Sequence, residues 1–339
     1  MTRKVAGNKQ PLIHEEEEMN YRNWLAVAGV AGLGLVSAMP ALAKDGKIKI
    51  GMVNLFYGAP YFAGMDVAVH AEAKVYQNVE VISTDAGFDA AKMAANIDDM
   101  LSKGVDGLIV SAGPTETLPS SLAAIQAAGI PVVFVDRLWK NTKLTTPWNW
   151  VGAQNDVMGS EIGKEVAKHL TGKGEIVIIR GGPADNSIGI ARTEAFTAAV
   201  SDNQNIKITI APAFGGWAVD GGYKTMSDML AKKSNIDAVF CENDSMCLGA
   251  QKAAADAGRS AQIVFAASDA GKDTLREMMR PGSNFIATAV NDSDQIGRVG
   301  FNHLMGMLAG GKLPNITPLD SRLVLPADAA KRYDPSKVF

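Results

Sequence analysis

The run PVVFVDR at residues 131–137 reads as a buried parallel strand, yet it ends in Asp136 and Arg137, with Trp139 just beyond. These two residue types resist burial more than most. A carboxylate beside a guanidinium at the end of a core strand can meet a polar ligand as acceptor and as donor. Other apolar runs in the chain end in the same way. KIKIGMVNL passes through Asn54 into Tyr57, Tyr61 and Phe62. GEIVIIRGG leads to Arg192 at the start of a helix, and IKITIAPAFGG leads to Trp217. IDAVF ends in Glu242, Asn243 and Asp244, QIVFAAS in Asp269, and NFIATAV in Asn291 and Asp292. Taken singly, each acid or amide reads as a helix N-cap. Taken together on one cleft, carboxylates, amides, two arginines and aromatic rings would bind vicinal hydroxyls and stack on an apolar ring face.

Such convergence requires strands that all point the same way. From residue 47 the chain alternates short apolar runs with stretches of helical spacing: KIKIGMVNL, then PYFAGMDVAVHAEAKVY, then VEVIST, then DAAKMAANIDDMLSK capped by Asp89. This βαβ alternation builds parallel sheets with right-handed crossovers, and ligands bind beyond the carboxyl ends of such strands. The pattern pauses at LWKNTKLTTPWNW and restarts, giving too many strands for one sheet. The expected fold class is therefore α/β with two sheets of similar size, divided near residues 150–155.

Length and charge narrow the partners. At 339 residues there is room for two domains, and the formal net charge of −3, without a basic block, excludes nucleic acid and an anionic membrane surface. Near the start, Arg22, the apolar stretch Trp24 to Ala38 and Ala41-Leu42-Ala43 make a secretory signal with cleavage expected after Ala43. Residues 1–18, with the acids Glu15 to Glu18, suit neither a signal nor a core, so Met19 is the expected start. The chain is read as exported to the periplasm. Its two cysteines, Cys241 and Cys247, fall at a strand end and one turn into a helix. Their Cα atoms are expected beyond disulfide range, leaving them as buried fillers.

The stretches PYF (60–62), PVVFVDR (131–137), ARTEAF (191–196), ENDSMCLGA (242–250), ASDA (267–270) and NDSDQIG (291–297) resemble the periplasmic sugar-binding proteins of the ribose- and galactose-binding type. Those are the substrate-binding components of ABC importers, and the resemblance covers the mature chain. It implies two Rossmann-like lobes joined by a three-crossover hinge near residues 153–155, 290–292 and 318–321. The first lobe would comprise 47–154 plus 292–320, and the second 155–291 plus 321–339. It places ligand contacts at Tyr61, Phe62, Asp136, Arg137, Arg192, Trp217, Asn243, Asp269 and Asp292, to which the first strand end adds Asn54. Ala59, Trp217 and Asp292 stand where ribose binders carry Asn, Phe and Gln, which argues against ribose itself. The partners implied are a small neutral sugar or polyol and an inner-membrane permease, with a chemoreceptor or sensor kinase as the alternative. A monomer is expected, with no cofactor and no metal.

Rival readings lack their signatures. A repressor core would need a DNA-binding helix-turn-helix before residue 47, where the signal sequence stands. An enzyme would need a phosphate cradle, a nucleophile elbow or a positioned base, and IGMVNLFYGAPYF and DNSIG supply none of these. His70, His169 and His303 lie far apart on helical stretches.

Overall fold

The computed structural model describes residues 46–111, 113, 119–138, 143–183 and 187–339. The leader with its cleavage site, Trp139 and part of the loop before Arg192 lie outside the described residues. In chain order the first elements are β1 (Ile48–Asn54), α1 (Pro60–Ala73), β2 (Val79–Asp85), α2 (Ala90–Ser102), β3 (Gly107–Val110), α3 (Pro119–Ala128), β4 (Val132–Val135) and β5 (Trp148–Ala153). There follow α4 (Asn155–His169), β6 (Lys173–Ile179), α5 (Ser187–Ser201), β7 (Asn205–Ile210), α6 (Val219–Lys232), β8 (Ala238–Cys241) and α7 (Asp244–Asp256). The chain continues with β9 (Val264–Ala267), α8 (Lys272–Met278), β10 (Phe285–Ala289), α9 (Ser293–Leu308), β11 (Ile316–Leu319), β12 (Leu323–Val324) and α10 (Pro326–Arg332).

Two six-stranded sheets result. The first has the order β11-β5-β4-β3-β1-β2, with every pair parallel. The second has the order β12-β10-β9-β8-β6-β7 and is parallel except where β12 runs against β10. Central strands such as VVFV in β4 and AVFC in β8 are buried along their whole length, as expected where helices cover both faces. The chain passes between sheets at 154, at 290–292 and at 320–322. After the second passage α9 packs on α1, and β11 joins β5 in the register Ile316↔Trp150 to Leu319↔Ala153. Among the described residues no helix is long and apolar enough to cross a membrane.

Local chemistry sets the helix starts near the strand ends. Pro60 opens α1, where a missing N–H costs nothing. Asp89, Asn243 and Asp292 cap α2, α7 and α9 by accepting from Lys92 N, Met246 N and Gln295 N. The cysteine expectation is corrected here: Cys241 and Cys247 are disulfide-bonded, with their Cα atoms 5.4 Å apart. Because α7 begins immediately after Asn243, its first turn folds back over the end of β8 and brings Cys247 onto Cys241.

Candidate functional site

The carboxyl ends of both sheets face one cavity of about 210 Å³. Tyr61, Phe62, Asp136 and Arg137 line it from the first lobe, and Arg192, Trp217, Asn243 and Asp269 from the second. Asn54 and Asp292 do not line it. Asn54 is fully buried, donating to Phe62 O at 3.0 Å and accepting from Leu55 N at 2.9 Å, so it braces the turn that carries the aromatic pair. Asp292 is engaged as the α9 cap and in an ion pair with Lys337 at 2.9 Å. Its neighbour Asn291 lines the cavity instead. His70, His169 and His303 do not line it.

A chain of polar contacts crosses from one lobe to the other. Arg192, buried to 2% exposure, donates through Nη2 to Asp269 Oδ1 at 2.9 Å. Asn291 Nδ2 donates to the same Asp269 oxygen at 3.0 Å. Tyr61 Oη lies 3.0 Å from Asn291 Oδ1 and 2.8 Å from Asp136 Oδ1. Arg137 Nε stands 3.9 Å from Asp136 Oδ2. Tyr61 has one proton for two acceptor oxygens, so the chain has room for a further donor such as a hydroxyl. Burial pushes the Asp136 and Asp269 carboxyls up, and Arg137 and Arg192 respectively pull them back. Burial and the nearby Asp136 hold the Tyr61 phenol well above its ordinary range, so it stays a donor.

Arg192 is held by two further contacts. Its Nε donates to Asn155 Oδ1 at 2.8 Å and its Nη1 to the Glu242 carbonyl at 2.5 Å. Gly159 of α4 lets α5 approach this closely, because a Cβ there would collide with the Arg192 carbonyl. Glu242, which the strand-end pattern flagged without a role, is buried and accepts from Gly181 N at 2.6 Å and Thr193 Oγ1 at 2.7 Å. Burial raises its carboxyl as well. Asn243 caps α7 while its Nδ2 holds the Trp217 carbonyl at 3.2 Å, and the indole lies directly over Gly181.

Apolar surface completes the cavity. Phe56 and Phe88 are 4.8 Å apart, Phe88 and Phe62 6.3 Å, and Phe62 and Tyr61 5.2 Å, a continuous aromatic wall on the first lobe opposite the indole of the second. Phe56, Phe88 and Phe339 escape sequence reasoning because they occupy loops without periodicity. Backbone strain marks the same place. Of the six non-glycine residues with positive φ among the described residues, Phe88 (63°), Asp136 (68°), Trp217 (61°) and Asp269 (125°) line this cavity. Each costs about 1–3 kcal/mol and persists where the surroundings dictate it, which is characteristic of ligand sites.

Comparison with known proteins places the chain by family and fold. The periplasmic binding protein domain family matches residues 50–312. The chain is similar to the ribose import binding protein of Escherichia coli strain K12, at 26% identity over 310 residues, covering 91% of this chain and 99% of that protein. It is similar to a xylitol-binding protein of Mycolicibacterium smegmatis, at 28% identity over 277 residues, covering 79% of this chain and 75% of that protein. Among solved structures it is similar to an ABC transporter solute-binding protein from Mycobacterium smegmatis with bound glycerol. That match has a TM-score of 0.79 and 28% identity, over 86% of this chain and 99% of that one.

Proposed function

This chain belongs to the periplasmic binding protein family, and we propose that it captures a neutral sugar or polyol between its lobes and presents it to the permease of an ABC importer. Its relatives are binding proteins, not enzymes. The carrying observation is the polar chain from Arg192 through Asp269, Asn291 and Tyr61 to Asp136, laid beside an aromatic wall. Hydroxyl groups can both donate to the carboxylates and accept from the guanidinium, while the ring face covers the aromatic surface. Two acids face two guanidinium groups, so a neutral ligand leaves the charge balanced. A phosphate dianion would be repelled by Asp136 and Asp269. The cavity of about 210 Å³ falls below the roughly 300–1,000 Å³ of clefts for drug-sized ligands, which favours a single ring or a short polyol.

The chain works after export to the periplasm. A ligand held from both lobes adds contacts that exist only when they are together, so it favours closure about the three crossings. The permease reads the closed face. A thermal-shift screen across D-ribose, xylitol, myo-inositol, hexoses and control amino acids tests the ligand class. Saturation near a hundred times the dissociation constant adds about 2.7 kcal/mol of stability. Hits confined to amino acids or anions would overturn the sugar reading. Recovery of the liganded protein on a sensor domain rather than on a permease would redirect the delivery step alone.

A further inference from the structure

The segment after α10 turns back into the cleft. Asp334 accepts from Ser336 N at 2.9 Å, forming a turn that redirects the chain. Lys337 then bridges the lobes. Its Nζ pairs with Asp292 at the α9 cap of the first lobe at 2.9 Å, and its carbonyl accepts from Lys272 Nζ of the second lobe at 2.5 Å. These contacts set Phe339 edge-on to Tyr61, with centroids 5.3 Å apart and planes at 89°, so it extends the aromatic wall by one ring. The opposite lobe leaves room for it: a Cβ on Gly271 would come within 2.8 Å of the Phe339 ring. Phe339, together with Asp269 and Asn291, lines two adjoining cavities. One is the ligand cleft of about 210 Å³, and the other a hollow of about 260 Å³ whose charged lining is mixed, Lys272, Lys331, Arg332 and Lys337 beside Asp269, Asp292 and Asp334.

We propose that Phe339 is a specificity-determining partition that limits the ligand to one ring or one short polyol by closing the cleft off from this second hollow. The inference rests on the sugar reading of the same cleft. A ligand carrying a second ring would have to displace the Phe339 side chain and break its packing between Tyr61 and Gly271. Without the partition the two hollows join, and a second sugar ring would extend into the space beyond it.

The test compares the parent with Phe339→Ala and Phe339→Leu by calorimetry on D-ribose, xylitol and myo-inositol, then on the two-ring probes lactose and cellobiose. The parent should bind at least one of the small probes and neither of the two-ring probes. Phe339→Ala should lose about tenfold on the small ligand, the scale of one aromatic contact, and gain measurable affinity for lactose or cellobiose. Phe339→Leu should fall between. If Phe339→Ala rejects both two-ring probes, whether or not it keeps the small ligand, the partition role is overturned. A parent that binds none of the small probes instead defeats the sugar reading. Hydrogen exchange on unliganded protein then decides the partition by itself. Phe339→Ala should speed exchange together in residues 61–65 and 271–275, and unchanged exchange in both would overturn it.

Discussion

Replacing Arg192 by Lys keeps the charge and removes the planar fork. The structure allows the consequence to be estimated. Arg192 is 2% exposed and makes three directed contacts, to Asn155 Oδ1, the Glu242 carbonyl and Asp269 Oδ1. A lysine ammonium, with its single nitrogen, can hold the Asp269 contact but cannot also span the other two. Each lost charge-assisted hydrogen bond is worth about 1.5–3 kcal/mol, and relaxation recovers part of the sum, so we predict destabilisation by about 3 kcal/mol before any ligand is added. At roughly 2–4 °C per kcal/mol for a chain of this size, melting should fall by about 6–12 °C. Affinity for the best neutral ligand should also fall by at least about tenfold, because Arg192 lines the cleft. Scanning fluorimetry without ligand and calorimetry with it measure the two effects separately. A variant that melts within about 2 °C of the parent would refute the reasoning about the network. A variant that melts lower yet binds equally well would leave Arg192 as a brace of the second lobe alone.

Trp217→Ala should weaken ligand binding by about 2 kcal/mol or more, near thirtyfold, with Trp217→Phe much milder; a collapse of the unliganded melting temperature with unchanged affinity would reassign the indole to packing. Cys241→Ala with Cys247→Ala should cost about 2 kcal/mol by the chain-entropy estimate for a short loop, and reductant should lower the urea midpoint of the parent but not of the variant. An unresponsive parent would mean that the pair is not bonded in solution. Asp244 is buried, and desolvation first and the nearby Asp269 second raise its carboxyl well above the usual range. The folded state therefore holds its proton more tightly than the unfolded chain. The stability this lends is present at acid pH and lost as pH rises from about 4 through the folded value. Melting across pH 4.5–8 should show a smaller decline for Asp244→Asn than for the parent, and identical profiles would sink the assignment.

Much of the site was readable because parallel strands concentrate the contrast between apolar run and polar end at the place where ligands bind. Asp136 and Asp269 follow strands buried on both faces, and neither is consumed as a cap. Asp292 and Asn291 show the limit of that signal. They are adjacent, and which one faces the cleft depends on where α9 starts, a one-residue matter that the pattern does not encode. The cysteine pair turned on the same kind of detail, since the onset of α7 at Asp244 decides how near Cys247 comes to Cys241. Phe339 gave no signal at all. Its partners Tyr61 and Gly271 lie far away in sequence, and a ring between two lobes has no periodicity to betray it.

The return of the chain to its first sheet also has a kinetic consequence. β5 acquires its neighbour β11 only when residue 316 follows residue 153, an interval of 316 − 153 = 163 residues. Until α9 arrives, the first-lobe core also lacks Ile296, Phe301 and Leu304, all fully buried in the finished fold. At roughly 5–20 residues per second, synthesis takes about 8–30 s to cover that interval. Non-local pairing of this kind is intrinsically slow even afterwards. The first lobe of a nascent chain of this topology therefore stays incomplete until β11 has been made, by which time β6 to β10 of the second sheet are all in hand.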